Sequence, residues 1–408
     1  MASAADAVPG SDAGAAIVTE PASWESTICS LCGDARSRSV FSASDLLYGC
    51  PGEFTLVRCE ACRHVFLNPR PTRECIGQFY PADYGPFRGG TTSGRQPEAD
   101  HRQPTISGRQ PEADSRQPLS PFSSTHSAPC RSKLDPRSWR WLRSLVLWWI
   151  DSRAAPIPKW EMANGKWQMA DRQSPISNLT SDISNLPSEI PPRALELGCS
   201  HGAFLQQLRD RGWECLGIEP AGEVARRAAE CGLEVRVGSL ESVVASDPQT
   251  FAPSSFDAVV AWMVVEHLHD PIATLRLARE LLKPGGTLSF SVPNFGCWER
   301  RAFGQFWYAL QLPTHLQHFT TTSLRRLLET SGFELVELIH QRNVNNLVGS
   351  AGLWLRTKFP RWSLGERLIL WTDDPSALGL CLLALPARIF AAVHQSGRLT
   401  VVARATSR

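Results

Sequence analysis

The chain has 408 residues, more than one hydrophobic core usually organises, so two modules joined by connecting chain are expected. Its 42 Lys and Arg against 40 Asp and Glu leave a formal net charge of +2, which argues against a nucleic-acid binder whose affinity would rest on phosphate neutralisation. With 42% hydrophobic and 20% charged residues, it reads as neither a disordered polyampholyte nor an integral membrane protein. The first 23 residues carry no Lys or Arg and lead into no apolar run, so no secretory signal or basic transit peptide is predicted and a cytoplasmic chain is expected. The longest apolar stretches, Leu142 to Ile150 and Leu378 to Ala387, fall short of the roughly 20 residues that span a bilayer, so no transmembrane segment is predicted. In a reducing compartment the 12 cysteines serve metals or cores rather than disulfides.

Residues 1–23 are Ala/Ser/Asp/Gly-rich without periodicity and are expected to form a mobile tail. Residues 24–88 alternate short apolar runs with turn residues, as in VFLNPRP and FYPADYGPF, and predict a small domain of short strands. Within it, Cys29-Ser-Leu-Cys32 and Cys59-Glu-Ala-Cys62 form two CxxC pairs with 26 residues between them, the spacing of a tetrahedral four-cysteine zinc site. Zn²⁺ would be structural here: a closed shell leaves no open position for chemistry, and it supplies folding free energy that so small a core cannot. Residues 89–130 contain SGRQPEADHRQPTI followed by SGRQPEADSRQP, a repeat with nothing to bury, and are expected to be a linker. In the 131–170 segment, Trp139, Trp141, Trp148 and Trp149 interleave with Arg137, Arg140, Arg143 and Arg153. That pattern predicts an amphipathic helix that either caps the next domain or lies on a membrane surface. Residues 171–190 carry SPISNLT and SDISNLP and read as a second connector.

From 191 to 408 the text changes to short apolar strands alternating with helical periods, from RALELGC and ECLGIEP to FDAVVAWM and TLSFSVPN. This alternation predicts an α/β domain with a doubly wound, mostly parallel sheet and ligand at the strands' C-terminal ends. Its first strand runs into Glu196-Leu-Gly198-Cys-Ser200-His-Gly202, and its second ends at Glu219, 23 positions after Glu196. A glycine turn lets backbone approach a ligand, and a carboxylate ending the second strand can accept both hydroxyls of a ribose. A dinucleotide site needs GxGxxG, which fails here, since Ser200 and Ala203 stand at the second and third glycine positions.

The acid-x-Gly-x-Gly-x-Gly spacing instead resembles the first motif of class I S-adenosylmethionine-dependent methyltransferases, with Glu196, Gly198 and Gly202 matching and Ser200 in place of the middle glycine. The resemblance continues in order through IEP at Glu219, GSLESV, FDAVVAWMVVEHLHDP, LLKPGGTLSFSVPN and SLRRLLETSGFELVEL, about 150 residues in all. It implies a seven-stranded Rossmann-like sheet closed by an antiparallel GRLTVVARA strand, with a long Leu/Trp-rich insert over about 342–396. By the same resemblance, Gly198, Ser200 and Gly202 line the methionine part of S-adenosyl-L-methionine, Glu219 holds its ribose, and Ser239, Leu240 and Trp262 lie against its adenine. The text CSLCGD to LVRCEACRHVFLNPRP resembles the zinc-ribbon head that precedes some methyltransferases of this kind, including sugar C-methyltransferases.

Methyl transfer from a sulfonium is an in-line displacement that asks the protein mainly for proximity and a dry, oriented site, with a base where the acceptor carries a proton. His315 is the first candidate base, His318 the second and His267 the third; the first two lie in NFGCWERRAFGQFWYALQLPTHLQHFT, which is similar to a segment of a family branch with saccharide and lipid-linked acceptors. The expected acceptor is a small molecule, a saccharide or a lipid-linked compound, with peripheral membrane contact possible and no nucleic acid. Two other readings are a zinc-ribbon binding protein on a degenerate, non-catalytic methyltransferase fold, and an RNA methyltransferase whose ribbon docks nucleic acid.

Overall fold

The computed structural model describes residues 23–80, 84, 160–163, 166–169 and 190–406. The expectations for the N-terminal tail, for the repeat linker and for the Trp/Arg helix of residues 137–153 lie outside these residues. The end of the segment expected to be helical instead forms a two-stranded hairpin, β6 (Trp160–Ala163) against β7 (Lys166–Met169). Its sequence explains this, because Trp and Met alternate with polar residues on both sides of Asn164-Gly165, the dipeptide most favoured in tight hairpins.

The N-terminal module contains β1 (Trp24–Glu25), β2 (Ser37–Ala43), β3 (Phe54–Cys59), β4 (Val65–Leu67) and β5 (Arg70–Pro71). The C-terminal domain runs β8 (Arg193–Leu197), α1 (Ala203–Arg209), β9 (Glu214–Glu219), α2 (Gly222–Glu230), β10 (Glu234–Val237), α3 (Leu240–Ser246) and β11 (Phe256–Trp262). It continues through α4 (Pro271–Leu281), β12 (Leu282–Pro293), α5 (Trp298–Phe303), β13 (Gln317–His318), α6 (Thr321–Ser331) and β14 (Phe333–His340). The late insert is wholly helical, α7 (Asn345–Lys358), α8 (Leu364–Asp373) and α9 (Ala377–Ala392), and the domain closes with β15 (Arg398–Ala405).

Seven strands form the main sheet in the order β10-β9-β8-β11-β12-β15-β14, with β15 antiparallel to both neighbours. The central strands are buried on both faces, as parallel strands between two helical layers must be, and Leu195, Leu197, Val259, Ala261, Leu288, Phe290, Val401 and Ala403 make the centre of the core. Helix starts are set by local chemistry. Asp270 accepts a hydrogen bond from the Ala273 N–H ahead of Pro271 in the first turn of α4, and Thr320 and Ser323 form a reciprocal capping box at α6.

The N-terminal module is not a separate bead. Its sheet has the order β13-β4-β3-β2, so its fourth strand comes from the C-terminal domain, with Gln317 opposite Phe66 and His318 opposite Val65. One face of the small sheet sends Val57 and Phe66 into the core of the large domain. Its other residues Phe54, Leu56, Val65 and Leu67 pack with Phe295, Trp307, Leu310 and Leu316. A core too small to stand unaided is thus completed by a neighbour.

Gln317 is the polar knot of this seam. Its Oε1 accepts from the buried His64 Nε2 at 2.8 Å and from the Ser30 hydroxyl at 3.0 Å, while its Nε2 donates to the Leu268 carbonyl at 3.0 Å. Gln317→Ala strands a buried imidazole N–H and a carbonyl, and should cost about 1–3 kcal/mol in a denaturant-unfolding midpoint experiment. A variant as stable as the wild type would show that the seam does not rely on this side chain.

Candidate active site and cysteine cluster

The loop after β8 turns tightly because three of its residues occupy the left-handed region: Gly198 (φ 64°), Ser200 (φ 50°) and Gly202 (φ 79°). At Gly202 a side chain is excluded twice over, by this φ and by Leu233, whose Cδ1 lies 2.2 Å from where a Cβ would stand. Ser200 accepts the same backbone region with a small side chain. Its N–H donates to Glu219 Oε2 at 2.9 Å, and the Ala221 N–H donates to Glu219 Oε1 at 2.9 Å. The loop and the second strand's terminal acid are therefore tied together at the sheet's C-terminal edge. Burial raises the Glu219 carboxyl and the two backbone donors pull it back down. Each oxygen keeps a lone pair for a further donor, and among the described residues no cation pairs with it. A buried acid provided with N–H groups but no counter-ion suits the paired hydroxyls of a ribose.

The remaining cofactor candidates surround this point unequally. Glu196 is buried in β8 and bonded to the Leu205 backbone, tying α1 to the strand, and burial holds its carboxyl well above the usual range. Ser239 caps α3, with its hydroxyl accepting from the Ser242 N–H at 3.2 Å, while Leu240 turns into the core. Trp262 ends β11 half-buried, edge-on to Phe204 at 5.3 Å, and its indole N–H has no partner among the described residues. Ser239 and Leu240 follow β10 and Trp262 ends β11, so they flank the loop on opposite sides, as the walls of a flat-ring pocket would.

The three histidines separate into two environments. His267 follows β11 in a short 3₁₀ turn, and its ring meets that of His315 at 4.6 Å. The Thr314 carbonyl, which can only accept, lies 3.0 Å from His267 Nδ1, and the Ala309 carbonyl lies 2.9 Å from His315 Nδ1. Both rings therefore carry the proton on Nδ1 and present Nε2 as the lone pair. Burial lowers His267 to about 4 and holds His315 well below its ordinary value, so both are neutral near pH 7. His318 faces the other way, toward Phe295 in the seam, its buried Nε2 without a partner among the described residues, and burial lowers it to about 3.

Two more groups join these rings: Glu266, which the sequence offers beside His267 after the fourth strand of the C-terminal domain, and Tyr80, which it does not offer. Glu266 is fully buried, with no side-chain partner for either carboxylate oxygen among the described residues, and burial pushes it up to about 8; Glu266, His267 and His315 bring one ligand-capable atom each within 4.8 Å of one another. Such a set can relay a proton or hold a cation. Tyr80 arrives from the end of the N-terminal module, with its hydroxyl 2.9 Å from His267 Nδ1. Burial, together with the nearby Glu266 and Glu219, holds its phenol protonated. Nothing local in the sequence joins partners 187 positions apart.

In the N-terminal module Cys29 and Cys62 approach to 3.4 Å between sulfurs, Cys32 and Cys59 to 3.5 Å, and all four Sγ atoms lie within 4.8 Å of one another. A tetrahedron with Zn–S bonds of ~2.3 Å has edges of ~3.8 Å, so the four thiols fit one zinc ion. The two knuckles match in backbone as well. Gly33 N–H donates to the Cys29 carbonyl and Arg63 N–H to the Cys59 carbonyl, with Gly33 (φ 73°) and Arg63 (φ 66°) both left-handed.

Residues 169–338 match the family model described as a methyltransferase domain. Over 187 residues the chain is 31% identical to the ubiquinone biosynthesis O-methyltransferase of Dinoroseobacter shibae, covering 43% of this chain and 68% of that protein. The chain belongs to the class I S-adenosylmethionine-dependent methyltransferase family. The Xanthomonas campestris protein of the same name is 36% identical over 108 residues, covering 25% of this chain and 43% of that protein, so the match spans less than half of that relative. Among solved structures, an S-adenosylmethionine-dependent methyltransferase from Mesorhizobium loti superposes with a TM-score of 0.34 at 17% identity, covering 57% of this chain and 98% of that one. The strand order, rather than this loose superposition, defines the fold.

The buried ionisable groups set an expected pH profile for stability. Glu196, Glu266 and Glu299 are raised by burial, the latter two to about 8, so their contribution is present at low pH and is lost as pH rises from about 4.5 toward 8. His64, His267, His315 and His318 are lowered, so theirs is present above 6.5 and is lost as pH falls toward about 4. His269 and His340 are lowered as well and Glu219 is raised, so between 4.5 and 6.5 six histidines outnumber four carboxyls. The thermal midpoint should therefore peak near pH 6.5 and fall on either side; a midpoint still climbing at pH 8 would contradict these assignments.

Proposed function

We propose that this protein transfers a methyl group from S-adenosyl-L-methionine to a hydroxyl or acidic carbon of a small-molecule, saccharide or lipid-linked acceptor. The observation that carries this reading is that the Gly198–Gly202 turn, tied to Glu219, and the neutral His267 follow the adjacent strands β8 and β11 at the same C-terminal edge of the sheet. When bound, the cofactor supplies a sulfonium-activated methyl group. Glu219 would hold the ribose, the glycine turn would let backbone reach the methionine portion, and Ser239, Leu240 and Trp262 would border the adenine.

His267 is the favoured base on this geometry, with His315 as its neighbour and His318 turned into the seam. As the acceptor attacks in line, its proton passes to His267 Nε2 while the Thr314 carbonyl holds the ring through Nδ1–H and the Tyr80 hydroxyl rests on the same edge. Glu266, kept neutral at pH 7 by burial, can donate a hydrogen bond where negative charge develops on the acceptor. The O-methyltransferase names of the relatives support a hydroxyl acceptor.

Calorimetry with S-adenosylhomocysteine tests the cofactor site: wild type should bind, and Glu219→Ala should weaken binding by at least about tenfold, equivalent to about 1.4 kcal/mol. Absence of binding by the wild type, or unaltered binding by the variant, counts against the site. With radiolabelled cofactor and host lipid and polysaccharide fractions, His267→Gln should keep homocysteine-product binding yet lower label transfer by about 10²–10⁴-fold. Full transfer by that variant removes His267 as the base.

For the cysteine cluster we infer a structural zinc ribbon. Metal analysis should find one zinc per chain, lost in Cys59→Ser. Because Tyr80 belongs to the ribbon module, chelation should lower methyl transfer while cofactor binding persists. A folded wild type that contains no zinc would refute the ribbon.

A further inference from the structure

The helical insert carries a surface that neither the cofactor site nor the ribbon uses. One side of α9 packs inward through Leu380, Ala384 and Ala387 against Val344 and Trp371. The opposite side leaves Leu378, Leu382, Leu385, Ile389 and Val393 between 50 and 71% exposed. Arg388 is the single charged residue in the helix, and no other strongly polar side chain interrupts ALGLCLLALPARIFAA. A helix that is apolar on both faces needs a cover for the outer one, and nothing among the described residues provides it.

Three observations select the cover. A protein interface carries about one hydrogen bond per 100–200 Å² and a polar rim, whereas this face offers almost no donors or acceptors, which only an acyl-chain environment tolerates without loss. Sixteen residues extend ~24 Å, less than the ~30 Å of a bilayer core, one side is already packed on the domain, and α8 and α9 meet at an 82° bend. Among the described residues no single helix is long and apolar enough to cross a membrane, and α8 and α9 reach that apolar length only together, across their 82° bend. The α7–α8 turn of the same insert reads Arg356-Thr-Lys-Phe-Pro-Arg-Trp362, basic and aromatic without an acid. Phe359 and Trp362 are exposed and stacked at 4.8 Å beside exposed Lys358 and Arg361. Cations with interfacial aromatics complement anionic headgroups.

We propose that the insert docks the protein in-plane on an anionic phospholipid bilayer, with the outer face of α9 entering the acyl boundary and Lys358 and Arg361 meeting the headgroups. Bound this way, the enzyme would work beside a lipid-embedded acceptor without spanning the membrane.

Co-sedimentation of the full chain with vesicles of phosphatidylcholine mixed with phosphatidylglycerol tests this directly. Wild type should bind, and Leu382→Asp/Leu385→Asp should weaken binding by about tenfold or more. Lys358→Glu/Arg361→Glu should lower binding to the mixed vesicles by about tenfold and leave binding to pure phosphatidylcholine little changed. Far-ultraviolet circular dichroism keeps the comparison to folded variants, and no step depends on the cofactor site being correct. The proposal is overturned if wild type stays in the supernatant, or if Leu382→Asp/Leu385→Asp binds vesicles as wild type does. It is equally overturned if wild type is a dimer that the leucine substitutions dissociate while vesicle binding is absent, which would make a second copy of the chain the cover.

Discussion

The pairing of Gln317 and His318 with Phe66 and Val65 is the contact on which the rest of the architecture depends. These few backbone hydrogen bonds complete the small sheet, fix the segment from His315 to Phe319 beneath the β11 turn, and bring the end of the N-terminal module over the candidate site. Leu316 N–H donates to the Glu266 carbonyl while the Leu316 carbonyl accepts from Leu67 N–H, so one residue links the ribbon sheet to the turn that bears His267. Without this seam, Tyr80 would have no reason to meet His267.

The seam also changes what zinc has to do. A four-cysteine cluster alone would have to supply most of the folding free energy of so small a module. Here Cys29, Cys59, Val57 and Phe66 belong to the same apolar cluster as the central strands of the large sheet. A metal at the cysteines would therefore act on the same unit as the core: the cysteines would fix the two knuckles, and the large domain supplies the apolar surface that the knuckles lack. The four-cysteine end stabilises and the Tyr80 end reaches the chemistry, which gives the module a structural and a positioning role in one chain segment.

The candidate site follows from burial used in opposite senses on acids and imidazoles. Removing water raises Glu266 and lowers His267 and His315, leaving a neutral acid beside neutral bases at the mouth of the sheet. Glu219 is also raised by burial, and its two backbone N–H donors lower it only part of the way. A sulfonium donor needs no covalent partner from the protein, so a dry site with fixed proton acceptors is sufficient chemistry. The helical insert lies apart from this chemistry and gives the domain an apolar surface of its own.

The sequence by itself determined the alternation of strands and helices, the glycine turn with Glu219, and the two CxxC pairs, because each is written in short-range spacing: the period of buried side chains, a φ that few residues adopt, a loop short enough to place two thiols at one ion. It ranked His315 ahead of His318 and His267, whereas the geometry favours His267, since the ranking depends on which carbonyl lies at Nδ1 and which side of the seam a ring faces. Glu266 gave no signal beyond its neighbour's, and Tyr80 gave none, because its partner is 187 positions away and meets it only after a strand of one module has joined the sheet of the other. The late insert read as hydrophobic from composition alone; only the packing of Leu380, Ala384 and Ala387 decided which half of that surface is core and which half is left for a partner. Contacts made across the chain, unlike spacing within it, exist only once the fold has brought their two ends together.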